Sequence, residues 1–211
     1  MKYFLFILLF SWSNLSYASV PNNIGIISQK DFTPPVSVSD QSAWLDVQQV
    51  HQETNLCAPT SAAMVLTYYT GNIYLPREIK LWSLGLTYNS ELPFNSFTAT
   101  YFNDLISGLK SHSIMWQKQL YSNNQTGYLE GIEAIKKQLD QQHPVLVDTA
   151  LYTGHTFVIE GYNETKNILI IVDPFIQAPG IRVISYNDFK QIWNSTKVKS
   201  NIRAAIFTSS P

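Results

Sequence analysis

The sequence predicts an α+β fold, with an N-terminal helical part packed on a C-terminal antiparallel β-sheet. In residues 55–69 (NLCAPTSAAMVLTYY), Ala62, Ala63, Leu66 and Tyr69 recur at three- and four-residue spacing, the period of a helix. From Pro144 onward the pattern changes to short β-branched runs broken by turn residues, which is the pattern of strands. Helices lead and strands follow. The layers are therefore segregated, unlike the strict alternation of a doubly wound sheet.

The elements follow in chain order. Met1-Lys2, the apolar run from Tyr3 to Phe10 and the small-x-small pattern Ser16-Tyr17-Ala18 predict a signal peptide over residues 1–18, cleaved near Ala18. The run is far shorter than the ~20 apolar residues of a permanent anchor, so no stable membrane insertion is expected. Residues 19–41 carry Pro21, Pro34 and Pro35 without a helical period and read as an extended arm. The domain itself is expected over 42–211. Its first helix accepts Pro59 only in the first turn, which places Cys57 at the helix start, and Gly71 stops it. Residues 75–85, entered by Pro76, and 97–109 predict two more helices, with a loop over 86–96. A strand over 114–121 and a turn over 122–127 precede an amphipathic helix over 127–142, built on Leu129, Ile132, Ile135 and Leu139. Strands are expected at 144–150, 155–162, 167–173, 182–186 and 204–208, with a helix at 187–193.

Hydrophobic residues make up 45% of the 211, and 12 Tyr, 11 Phe and 5 Trp supply core material for one domain, which excludes a disordered chain. Lys and Arg number 14 against 15 Asp and Glu, a balance that gives no footprint for nucleic acid. Cys57 is the only cysteine, so neither an intramolecular disulfide nor a cysteine-rich zinc site can form. In an exported protein an unpaired thiol is a liability unless it is buried or serves a function. Asn124, Asn163 and Asn194 each begin a glycosylation acceptor tripeptide, which matters only in a host that glycosylates exported proteins.

A helix start suits a cysteine nucleophile, because unpaired N–H groups and the helix dipole stabilise a thiolate. A neighbouring imidazolium does more. Of four histidines, His155 stands at the start of a strand, with Gly154 before it, and is the preferred base. His143 precedes a proline in a turn, His112 lies in a polar patch, and His51 is only six residues from Cys57, on the wrong side for a base. Asp173 ends the following strand and would lie beside His155 if the two strands form a hairpin; Asp148 competes from mid-strand. The Cys57 N–H and the Gln52 amide are candidate oxyanion donors, with Gln48 and Gln49 weaker ones.

Gln52, Cys57-Ala58-Pro59-Thr60-Ser61 with its helix, His143-Pro144-Val145, the Gly154-His155 strand and Asp173-Pro174 together resemble the C39-like peptidases, in family order over about residues 44–193. The resemblance implies a papain-like fold, with Cys57 as nucleophile, His155 as base, Asp173 as its orienter and Gln52 lining the oxyanion hole. It implies a peptide or protein substrate and no cofactor, while the signal peptide over residues 1–18 is what predicts a secreted or periplasmic location. Two departures are Ala58, where the family usually has glycine, and the interval of five from Gln52 to Cys57, which is commonly longer. Two other readings share the residues: a transpeptidase or amidase with the same acyl-enzyme, and an inert papain-like binding module.

Overall fold

A computed structural model describes residues 41–87, 99–194 and 202–210. The expected signal peptide, the arm up to residue 40 and residues 88–98 lie outside the described residues. In chain order the elements are β1 (Ser42–Trp44), α1 (Cys57–Thr70), α2 (Pro76–Ser83), α3 (Phe102–Leu109), β2 (Met115–Ser122) and α4 (Gln125–Asp140). They continue with β3 (Val145–Thr149), a 3-10 turn (Leu151–Thr153), β4 (His155–Asn163), β5 (Ile168–Val172), β6 (Ile181–Ser185), α5 (Tyr186–Ile192) and β7 (Ile202–Ser209). The helix expected from residue 97 is found as α3, which begins at Phe102 after an extended Tyr101. The addition is β1, three residues long.

One seven-stranded sheet runs in the order β2-β7-β3-β4-β5-β6, and every ladder is antiparallel. β3 pairs with the first half of β4, residues 155–159. β1 pairs with its second half, Trp44 opposite Gly161 and Ser42 opposite Asn163. The arriving chain thus continues the lane of β3 alongside β4.

The sheet is covered on both faces. Leu146, Val158, Val172, Ala204 and Ile206 face a core shared with α1, α2 and α3. Their strand neighbours Val147, Phe157, Ile159, Ile171 and Ala205 face a second core with α4, Phe189 and Trp193. Helices therefore flank both sides of the sheet, which explains why the strands read as continuous apolar runs. All nine residues of β4 are buried. Trp193, fully buried, stacks on Phe189 at 5.0 Å between centroids and donates its indole N–H to the Ala204 carbonyl at 3.0 Å.

α1 is the central helix of the first core. Every residue from Cys57 to Leu66 is buried, so its first part is enclosed all round, with no solvent stripe. The small side chains of Ala58, Ala62 and Ala63 allow it to lie close on the sheet. Its buried hydroxyls are satisfied: Thr60 donates to the Leu56 carbonyl at 2.7 Å and Ser61 to the Thr156 carbonyl of β4 at 3.2 Å. Gly71 closes the helix in the left-handed region with φ 70°, its N–H on the Thr67 carbonyl. No helix among the described residues is long and apolar enough to cross a membrane.

Candidate active site

Cys57 is the first residue of α1. The Leu56 position before it gives no side-chain cap, and the first turn carries no acidic residue. Nothing anionic in that turn competes for the positive end of the helix. Pro59 falls in the first turn, where N–H groups have no intrahelical acceptor, so its missing donor leaves the helix intact.

His155 begins β4, and Asp173 follows the last residue of β5. Because β4 and β5 form an antiparallel hairpin with Val158 opposite Val172, the start of one lies beside the end of the other. His155 Nε2 lies 2.8 Å from Asp173 Oδ1 and donates to it. The other ring nitrogen, Nδ1, is left for Cys57, whose side chain is hydrogen-bonded to His155. The three side chains are brought together and are nearly closed to solvent, at 7%, 3% and 0% exposure for Cys57, His155 and Asp173.

The electrostatics follow from that contact. Burial pushes the His155 imidazole down, but the bonds to Asp173 and Cys57 and the charges of both override it and lift the group to about 9. Burial pushes the Asp173 carboxyl up. The His155 bond and charge, the Phe175 N–H at 2.9 Å and the Arg182 guanidinium outweigh that and hold it below the usual carboxylate range. Arg182, from β6, approaches Asp173 Oδ2 at 3.4 Å. Nothing in the sequence singled it out, since Arg in a strand has no pattern of its own.

The chain between β1 and α1 ties Cys57 to the Asp173 loop. The Gln52 N–H donates to the Pro174 carbonyl at 2.8 Å, and its amide donates to the Thr54 carbonyl at 2.7 Å. Gln52 is therefore held beside the Asp173-Pro174 turn, and its amide nitrogen keeps a second hydrogen. Gln49, a weaker oxyanion candidate, is engaged elsewhere, donating to the Asp173 and Ile176 carbonyls at 2.7 and 2.8 Å. A Cβ at Gly180 would lie 2.2 Å from the Gln49 amide, and φ there is +74°, so glycine is required twice over. Gln48 bonds to Asp46 at 3.4 Å on the exposed surface.

Aromatic rings wall the imidazole. Tyr152 meets His155 edge-on at 5.4 Å, and Phe175 lies 4.9 Å from Tyr152 and 6.1 Å from His155. Tyr152 adopts φ 49°, a left-handed conformation costly for an aromatic residue. Gly154, at φ 122°, follows as the chain turns into β4. The remaining candidates lie elsewhere. Asp148 is buried in β3 opposite Thr156, lining a cavity with Thr100, Asn103 and Lys118. His112 packs on Trp82 and Tyr74, His143 is pushed down by burial near Tyr69, and His51 faces the Ile176 carbonyl.

Two solved structures share this arrangement of elements. One is the peptidase domain of Streptococcus ComA, a bifunctional ABC transporter involved in a quorum-sensing pathway, 18% identical at a TM-score of 0.52 over 78% of this chain and 99% of that one. The other is a double-glycine-motif protease from an AMS/PCAT transporter in complex with its leader peptide, 17% identical at 0.52 over 80% and 95%. At such identity they show the fold. No curated protein matches the chain. Residues 44–201 match the profile of the Peptidase_C39 like family, and by that match across most of its length the chain belongs to this family, with its papain-like α+β fold.

Proposed function

We propose that this protein is an exported cysteine peptidase that hydrolyses peptide bonds through Cys57, His155 and Asp173, with Gln52 at the oxyanion. The observation that carries the reading is the buried chain of contacts from the Cys57 thiol through His155 to Asp173 Oδ1. An imidazole lifted to about 9 stays protonated at neutral pH and stabilises a thiolate beside it. The helix terminus adds to that stabilisation.

The Cys57 thiolate attacks the scissile carbonyl carbon, and the oxygen takes up negative charge facing the Cys57 N–H and the Gln52 amide. The C–N bond then breaks as the His155 imidazolium gives its proton to the leaving amine. Water attacks the thioester, passing a proton to His155, and the acid product leaves while thiolate and imidazolium are restored. Asp173 holds the imidazole in one orientation throughout. A leader peptide bound to a relative of the same fold supports a peptide as substrate. The apolar run and small-x-small pattern over residues 1–18 support export to the periplasm or beyond.

A thiol-directed peptide electrophile tests the site. Cys57→Ala must lose all labelling, since no other cysteine exists, so His155→Ala is the informative variant. It should label at least about 100-fold more slowly at pH 7, in line with loss of a general base. Labelling of His155→Ala at the unaltered rate would overturn the assignment. Incubation with a mixed peptide library should give cleavage products that vanish in Cys57→Ala; normal labelling with no cleavage would refute the hydrolase.

A further inference from the structure

Resting on that catalytic reading, we infer that Arg182 is a positioning residue that holds the second oxygen of Asp173 and sets the pH window in which Cys57 and His155 react. The two oxygens of Asp173 are used unequally. Oδ1 accepts the His155 Nε2–H at 2.8 Å and the Phe175 N–H at 2.9 Å. Oδ2 is buried without a hydrogen bond among the described residues, and its charged neighbour is the Arg182 Nη1 at 3.4 Å.

A carboxylate with no exposed surface needs a compensating charge in every protonation state of its partners. His155 cannot supply it throughout, because the imidazole gives up its proton during the reaction. Arg182 can, since a guanidinium stays charged. Its position is fixed by the fold: Arg182 pairs with Ile171 across β5 and β6, and the Asp173 N–H continues that ladder onto the Gly180 carbonyl at 2.9 Å. The charged groups facing Asp173 are His155 from β4 and Arg182 from β6. From the N-terminal segment comes the neutral amide of Gln49, bonded to the Asp173 carbonyl.

The sign of the effect is fixed by electrostatics. Removing a cation raises the pKa of every acid and base near it, so both limbs of the reactivity profile move to higher pH. The experiment is the rate of alkylation of Cys57 by iodoacetamide against pH in the full chain, for wild type, Arg182→Met and Arg182→Lys. Arg182→Met should raise the acid-side inflection by about one pH unit, a roughly tenfold loss of rate on that limb, and should move the upper inflection upward by less. Arg182→Lys should restore the wild-type profile. Should Arg182→Met not fold, Arg182→Gln carries the same expectation. A profile that does not move, or moves downward, overturns the role of Arg182, even if the variant has lost stability. The catalytic reading fails separately: His155→Ala would then show the wild-type profile too.

Discussion

Glu160 should make the protein less stable as pH rises through the neutral range. The residue sits at an irregularity in β4, where the register against β5 shifts between Ile159 and Gly161. It is fully buried. Its Oε2 accepts the Val47 N–H at 2.7 Å, and that bond, with the neighbouring Trp44 indole, favours the charged carboxylate. Burial, reinforced by Asp46, outweighs both and pushes the carboxyl up from 4.5 to about 7. The folded state therefore keeps a proton that the unfolded chain releases near 4.5. The stabilisation is full below that pH, declines as pH rises toward 7, and is gone above it. At 1.36 kcal/mol per pH unit the interval amounts to about 3 kcal/mol, an upper bound for one buried group. Glu160→Gln keeps an oxygen for the Val47 N–H and removes the ionisation. Urea denaturation of both proteins from pH 5 to 8 isolates the effect as a difference, since His155 and Asp173 titrate alike in each. The variant's stability advantage over wild type should widen by about 2.5 kcal/mol between pH 5 and pH 8. Parallel stability curves would refute the reasoning.

Gly180→Ala forces an L side chain to φ +74° and against the Gln49 amide, and should cost about 1–2 kcal/mol in urea denaturation. Because Gln49 holds the Asp173 carbonyl, the same variant should also slow labelling of Cys57. Trp193→Ala empties a fully buried site and removes the indole bond to the Ala204 carbonyl, for a loss of about 3–5 kcal/mol by the same measurement. Its folded fraction should still label at the wild-type rate, since Trp193 lies in the core on the α4 side of the sheet.

The sequence was legible where a side chain's partner is set by local pattern. Cys57 could be placed at a helix start because Pro59 tolerates only the first turn. His155 and Asp173 could be paired because consecutive antiparallel strands bring the start of one to the end of the next. The strand at β1 was missed because three residues are too few for a period to show. The second covered face was missed because continuous apolar runs do not say how many layers bury them. Gln49 and Arg182 were illegible for another reason: their roles exist only in three dimensions. Gln49 acts on a carbonyl 124 residues away, and its amide looks no different from those of Gln48 and Gln52 until the loop at 173–180 is in place. Glu160 did carry a signal, as the one charge inside the run HTFVIEGY, where a strand buried on both sides has no room for an unmet charge.

These contacts give the segment before Cys57 a mechanical meaning. From Ser42 it pairs with the far end of β4, Leu45 donates to the Glu160 carbonyl, and Val47 donates to the Glu160 carboxyl. Gln49 and Gln52 then bond to the loop that carries Asp173, at the other end of the same hairpin. The segment is a strap laid along β4, and it ends in the helix whose first residue is Cys57. A helix start could be docked on a sheet through α1 packing alone, yet apolar packing is tolerant of small slips, while a thiol must meet one ring nitrogen within a few tenths of an ångström. Directional bonds at both ends of β4 remove that freedom. The position of Cys57 relative to His155 is thereby set by β4, the strand that begins with His155, and the strap ties the start of α1 to both ends of that strand.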